Sequence, residues 1–445
     1  MTLAITPVRT AAVPAVVGAE LTVPLVTGER VGYANFDHAA SAPCLTEVKA
    51  AVDELLPWYA SVHRGAGFAS QVCTKVYEQA RDTVRRFVGA HATDAVVFTR
   101  NTTDSLNLLA AAVPRGTSVV LFDSEHHAAL LPWRGPNVRR LPAPANPVDA
   151  VRAVATALQA CPTGPRLVVV TGASNVTGEL WPITELAEVA QANGARIAVD
   201  AAQLAPHRPI DLRSYGADYL VFSGHKLYAP FGAGVLVGRA DWLRAADPYL
   251  RGGGATAQVT DFGDHLGVAW HQVPDRHEAG SPNVVGVRAL AAACVVLQRH
   301  WTPILAHERT LLARMRAGLG TVPGLRELSA FGSASDRVGV VSFTVDGQDA
   351  GRLAVELSAE YGIGVRDGAF CAHIFTRRLL SDVGATGQLA LRVSIGLGTT
   401  AEHVDRLVNA LRRLVTVGPR WTYRDVDGRW TPTPDPRPLP PFLAG

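Results

Sequence analysis

Six short β-branched runs, spaced by longer stretches of helical period, decide what this chain can fold into. They are AVVFT (95–99), SVVLF (118–122), RLVVVTG (166–172), RIAVD (196–200), DYLVFS (218–223) and GVLVG (234–238). Runs this continuously apolar suit strands covered on both faces, and connections such as ITELAEVAQANG carry the helical period that crosses between parallel strands. An α/β layer structure with a mostly parallel, doubly covered sheet follows. Beyond about residue 290 the pattern changes to a long helix (VVGVRALAAACVVLQRHW), strands in VGVVSFTV, IGVRDGAF and LALRVSIG, and a final helix. Val404, Leu407, Val408, Leu411 and Leu414 give that last helix an apolar stripe. We therefore expect an N-terminal segment (1–30), a large domain (31–290), a smaller α+β domain (291–418) and a proline-rich tail (419–445), extended from about 425 onward because its prolines cannot continue a helix.

Several classes of function are excluded by composition. With 48% hydrophobic and 18% charged residues in 445, the chain can bury a large core and is not disordered as a whole. Its 42 basic and 39 acidic residues are dispersed and form no basic stripe, which argues against a nucleic-acid partner. The first twenty residues have Arg9 as their only early cation and are broken by Pro7 and Pro14, so no secretory h-region is expected. No apolar run reaches the ~18–20 residues that span a bilayer. A cytoplasmic protein is the expectation. Cys44, Cys73, Cys161, Cys294 and Cys371 include no CxxC and no Cys/His zinc spacing, so neither a disulfide framework nor a metal site is expected.

Only three of the 42 basic residues are lysines, Lys49, Lys75 and Lys226; the rest are arginines. A lysine kept against that bias suggests work that a guanidinium cannot do, since only an amine loses its proton near neutrality and attacks a carbonyl. Lys49 and Lys75 lie in charged helix-like stretches and read as solvated. Lys226 differs. In VDAAQLAPHRPIDLRSYGADYLVFSGHKLYAPFGAGVLVG (199–238), Asp200 ends one apolar strand, Gln203 follows, and the next strand leads into Ser223, His225 and Lys226. Ligands of parallel α/β sheets sit beyond the carboxyl ends of the strands, so an acid and an amine at two such ends face one crevice. A Schiff-base lysine with a carboxylate for a pyridinium nitrogen is the pair that pyridoxal 5'-phosphate (PLP) needs. Taken singly, a strand-end aspartate capping a helix and a surface lysine remain the plain alternative.

In its order and spacing from about residue 30 to 415, the chain resembles the PLP-dependent fold-type I enzymes of aminotransferase class V, within them the cysteine desulfurase and selenocysteine lyase branch. That resemblance implies a bond from Lys226 to the cofactor aldehyde, Asp200 at the ring nitrogen, Gln203 at the phenolic oxygen, and Ser223, His225, Thr102 and Thr103 at the phosphate. A threonine pair opening a helix suits an anion, because it offers free N–H groups and a positive dipole end. It also implies His126 (in SEHHAALLPW) stacked on the ring and shuttling protons, Asn175 beside ring and substrate carboxylate, and Arg392 on the α-carboxylate of an amino-acid substrate, a task suited to a planar fork. A homodimer with shared sites is implied, with Ser281 of RHEAGSPN reaching the neighbour's phosphate. SVHRGAGFASQ (His63, Arg64, Gly65) looks like the family's substrate-access loop.

In GIGVRDGAFCAHIF, Cys371 falls at the position of the desulfurase nucleophile and Arg366 at that of an active-site arginine. The resemblance then implies conversion of L-cysteine to L-alanine, with the sulfur held as a persulfide on Cys371 and passed to an acceptor protein. The sequence departs from the branch where two histidines usually precede the cysteine: Ala369 and Phe370 stand there, and His373 follows. Two alternatives stay open. One is a class V aminotransferase, epimerase or C–S lyase with Cys371 uninvolved; the other is a scaffold protein without turnover.

Overall fold

The computed structural model describes residues 13–443, so most of the proline-broken N-terminal stretch read as lacking a secretory signal lies outside the described residues. Seven strands make the central sheet: β1 (Ala95–Thr99), β2 (Ser118–Phe122), β3 (Val138–Leu141), β4 (Arg166–Thr171), β5 (Arg196–Asp200), β6 (Tyr219–Ser223) and β7 (Gly234–Gly238). Their order is β1-β7-β6-β5-β4-β2-β3. Neighbours from β6 to β3 run parallel, and β7 alone is reversed, antiparallel to both β6 and β1. The mostly parallel α/β sheet expected from the sequence is therefore present.

Side chains along each strand alternate between two cores. Val168 and Val170 enter one apolar cluster, while Leu167 and Val169 enter the other, the signature of a sheet with helices on both faces. β3 (VRRL) was not legible, since two arginines on a partly exposed edge strand break the apolar run. β7 is reversed because its link to β6, residues 224–233, is too short for a crossover. Tight turning there puts Tyr228 (φ 61°) and Gly232 (φ 69°) in the left-handed region. His225 and Lys226 sit in this link, so the reversal itself places them at the carboxyl end of β6.

A second, antiparallel sheet joins the strands Leu325–Glu327, Val340–Val345, Ala390–Ser394 and Arg366–Gly368 in that order. Its core takes Val404, Leu407, Leu411 and Leu414 from the helix Ala401–Val417, and also Ala34 and Phe36 from far upstream. The strand Ala34–Asn35 pairs in parallel with Ile363–Gly364, and Asp37 bridges Ser394. The helix opening at Val284 continues to Leu319, past the expected span, with a break at His300 (φ −120°) just before Pro303, whose ring and missing N–H account for the break. From 423 the chain forms a hairpin of Tyr423–Val426 and Arg429–Pro432. A second hairpin, Thr256–Asp261 with Leu266–Trp270, was not foreseen. Among the described residues no helix is long and apolar enough to cross a membrane.

Candidate active site

The carboxyl ends of β4, β5 and β6 lie side by side, with Thr171 paired to Asp200 and Asp200 to Val221 in the parallel register. Above them is a cavity of about 440 Å³ whose walls include Thr102, Thr103, His126, Asn175, Asp200, Gln203, His225, Lys226, Arg366, Cys371 and Arg392. Residues up to 290 apart in sequence, each singled out separately by motif, thus meet in one crevice. Ser223 is buried just beneath. Ser281 is not brought there: it is exposed and lines a second cavity with His63 and Arg64. Its loop is held by Glu278, which accepts from Arg81 and from the Phe98 N–H (2.7 Å). Lys49 and Lys75 lie exposed on helices, as read.

Each wall of the crevice has a local cause. The helix Thr102–Ala112 starts at Asn101, whose side chain accepts from the Asp104 N–H (3.0 Å), so its first turn faces the cavity with N–H groups free. Gly234 of β7 lets that start approach closely: a Cβ there would lie 2.5–2.7 Å from Asn101 backbone atoms. His126 caps the short helix His127–Leu130 by accepting from the Ala128 N–H through Nδ1 (3.0 Å).

The floor is strongly desolvated. Burial raises the Asp200 carboxyl above the ordinary carboxylate range, against the Ala202 N–H bond (2.9 Å) and the charge of Lys226. Beside it Glu125 is wholly buried; it accepts from the Thr171 N–H (3.1 Å), and burial, with the nearby Asp200 charge, raises its carboxyl well above its ordinary value. The protein packed round the half-buried Lys226 pushes its amine down to about 8, partly offset by Asp200. His126 is pushed down to about 3 by burial and by Lys226, so its ring is neutral at physiological pH.

The opposite end is made of arginines. Arg392 is buried; it donates to the Asn175 backbone oxygen (3.0 Å) and to Asp37 Oδ1 (3.3 Å), and its guanidinium lies 5.0 Å from the Phe370 ring centre. Asn175 Nδ2 donates to the Phe370 oxygen (2.7 Å), and the His127 N–H to the Cys371 oxygen (2.8 Å). Phe370 and Cys371 are both left-handed (φ 53°). Two consecutive non-glycine residues there cost roughly 1–2 kcal/mol each, so these ties hold a strained loop that presents an exposed cysteine at the cavity wall. Asp37 and Glu125 had not been singled out from sequence, and Phe370 only as a departure from the branch's two histidines; nothing in the spacing of FDHAA connects it to a strand more than 350 residues away.

Among the buried polar atoms at or beside the cavity that have no partner among the described residues are three oxygens: Thr102 Oγ1, Gln203 Oε1 and Ser223 Oγ. Leaving a buried polar group unpaired costs about 1–3 kcal/mol, and three at one crevice mark a polar guest. The donor set fits an anion at the Thr102, Ser223 and His225 end and a cationic ring nitrogen at Asp200. Among the described residues no cluster of three His, Cys, Asp or Glu is arranged to hold a metal.

The lowered amine gives a direct test. Below pH 8 Lys226 is protonated and cannot attack; above it the free amine dominates. Labelling by a small aldehyde with reductive trapping should therefore reach half-maximum at Lys226 near pH 8. Lys49, whose ammonium Asp53 holds above the ordinary lysine value, should label only at much higher pH. Equal profiles for the two lysines in a peptide map would show that Lys226 is not desolvated.

Residues 34–407 match the family model described as aminotransferase class-V. A curated cysteine desulfurase of Klebsiella pneumoniae is 36% identical over 404 residues, covering 87% of this chain and 94% of that protein. One from Yersinia pestis is 33% identical over 405 residues, with the same shares covered. Among solved structures, a cysteine desulfurase from Escherichia coli is similar with a TM-score of 0.72 at 33% identity, and the apo form of one from Thermococcus onnurineus with 0.76 at 31%; each comparison covers 86% of this chain and 94% of the other.

Proposed function

Since the chain belongs to the aminotransferase class-V family, we propose that it is a PLP-dependent cysteine desulfurase, converting L-cysteine to L-alanine with the sulfur taken as a persulfide on Cys371. The single observation that carries this is the placement of Lys226, Arg392 and Cys371 on the walls of one cavity. Thr102, Thr103, Ser223 and His225 would hold the phosphate of PLP, Gln203 its phenolic oxygen, Asp200 its ring nitrogen and Lys226 its aldehyde carbon. The unpartnered hydroxyls of Thr102 and Ser223 support that assignment. When bound, PLP supplies an electron sink for bonds broken at the amino acid's α- and β-carbons.

The chain's residues supply the rest. Arg392 grips the α-carboxylate, with Asn175 beside it. Lys226, poised near 8, takes and returns protons at the substrate carbons. His126, neutral, has Nε2 to accept or donate a proton, since Nδ1 already accepts from Ala128. The Cys371 thiolate attacks the substrate sulfur; the C–S bond breaks, an S–S bond forms, and a proton delivered to the β-carbon completes alanine. Cys371 lies just ahead of the helix His373–Asp382. The exposure of Cys371 leaves its outer sulfur open to an acceptor protein. A second copy of the chain would bring Ser281 to its neighbour's phosphate, which accounts for its lying outside the cavity of its own chain. The cysteines, all unpaired among the described residues, suit a reducing cytoplasm.

The test is product identification. Incubated with L-cysteine and a thiol, the purified holoenzyme should yield alanine and sulfide in equal amounts. Pyruvate and ammonia, or turnover that requires an amino-group acceptor, would replace this function with lyase or aminotransferase chemistry on the same residues.

A further inference from the structure

Phe370, Asn175 and Arg392 close a circuit of buried contacts on the cavity wall. Arg392 Nη1 donates to the Asn175 backbone oxygen (3.0 Å), Asn175 Nδ2 donates to the Phe370 oxygen (2.7 Å), and the Phe370 ring returns over the Arg392 guanidinium, 5.0 Å from ring centre to guanidinium carbon. All three residues are buried and all three line the cavity. Asn175 holds Arg392 at Nη1 and Asp37 holds it at Nη2, while Nε–H is buried without a partner among the described residues. The guanidinium therefore keeps an edge donor for a ligand, with one face of its plane occupied by the ring. Phe370 stands where the desulfurase branch usually has a histidine. A phenyl ring has no proton to transfer; what it offers is a π face to a cation and the exclusion of water.

The structure assigns Phe370 the part of a positioning residue: its ring fixes the plane of the Arg392 guanidinium and keeps it dry, so that the edge is presented to the α-carboxylate of the incoming amino acid. This deepens, and rests on, the desulfurase reading, in which Arg392 takes that carboxylate. A guanidinium binds a carboxylate in its own plane, so a ring stacked on its face sets the orientation without competing for its donors. Such a contact is strongest where it is desolvated, and its loss changes affinity by about tenfold. The backbone at 370 is held separately, through the carbonyl that accepts from Asn175, and that bond does not involve the ring. The ring thus acts on binding, while backbone bonds keep the loop that carries Cys371.

The experiment compares the wild-type holoenzyme with Phe370→Leu and Phe370→Tyr. Titration of the cofactor absorbance with L-alanine and with ethylamine, which is alanine without its carboxylate, gives an affinity ratio that reads the carboxylate contact alone. Phe370→Leu should lower the alanine-to-ethylamine ratio by about tenfold, and Phe370→Tyr, which keeps the ring, should stay within about twofold of wild type. In turnover of L-cysteine, Phe370→Leu should raise KM by a similar factor with kcat nearly unchanged, since the carboxylate contact is made in ground and transition states alike. An unchanged ratio in Phe370→Leu overturns the inference, as do equal losses in both variants. A fall in kcat at constant KM overturns it too, by making Phe370 a support of the Cys371 loop only. So does a wild type that binds both ligands equally. Should Phe370→Leu fail to fold, Phe370→Met, flexible and apolar, takes its place with the same expected ratio. Absence of alanine formation from L-cysteine, with the binding ratios behaving as stated, would sink the desulfurase reading and leave this one standing.

Discussion

Lys226→Ala should lower alanine formation by on the order of 10⁴-fold, since both the covalent hold on the cofactor and the proton transfers at carbon are lost together. Lys226→Arg should do no better. Guanidinium keeps the positive charge beside Asp200 but stays protonated at any usable pH and cannot bond an aldehyde. The fold should survive both changes, because the turn carrying residue 226 is held by its backbone: the Ala42 N–H donates to the His225 oxygen (2.8 Å) and the Ala229 N–H to the Gly224 oxygen (2.8 Å). Borohydride treatment followed by peptide mass analysis checks the chemistry. The wild-type chain should carry the added cofactor mass on the peptide of residue 226 and the variants should not, although their cofactor should still bind and be removable by dialysis. A mass tag on another peptide, or turnover within tenfold of wild type, would remove the central assignment.

How much of this was readable beforehand depended on whether a signal was local. The buried strands were legible because a strand covered on both faces must be apolar almost throughout, and β4 (RLVVVT) and β6 (YLVFS) are. The edge strand β3 is under no such constraint, nor is the hairpin Thr256–Asp261 with Leu266–Trp270, whose side chains are largely exposed. The floor of the site was readable for a related reason: Asp200 and Ser223 end strands whose direction the pattern fixed, and Lys226 follows in the turn beyond Ser223. Closure of the carboxylate end was not. Asp37 reaches Arg392 only because the strand Ala34–Asn35 joins the second core, a tertiary event that no period in FDHAA announces. Glu125 was passed over for the same kind of reason. Its raised carboxyl pKa arises from complete enclosure near Asp200, a property of packing and not of the SEHH motif. Ser281 shows the converse, a residue identified by resemblance that one copy of the chain leaves outside the cavity.

Cys371→Ala should reduce alanine formation from L-cysteine by roughly 10³-fold while leaving the cofactor's absorbance and the mass tag on Lys226 intact. The selectivity of this effect follows from what holds the loop. Its ties run from Asn175 to the Phe370 oxygen, from His127 to the Cys371 oxygen and from Arg392 to the Phe370 ring, so none uses the thiol. Alanine at 371 inherits the left-handed backbone with strain similar to that of cysteine, and the cavity wall keeps its shape. What disappears is the atom that accepts sulfur. Binding of L-alanine should stay within about twofold of wild type, because the Arg392 end is untouched, which separates lost chemistry from lost affinity. Mass analysis of the wild-type chain after L-cysteine should show one added sulfur on the peptide containing residue 371, removable by a reducing thiol. The two histidines that usually precede this cysteine in the desulfurase branch are here Ala369 and Phe370, and the one imidazole in this segment, His373, packs edge-on against His127 with ring centres 4.7 Å apart. Full activity in Cys371→Ala would therefore assign this chain to the class V chemistries in which Lys226 acts alone and position 371 is only a wall of the cavity.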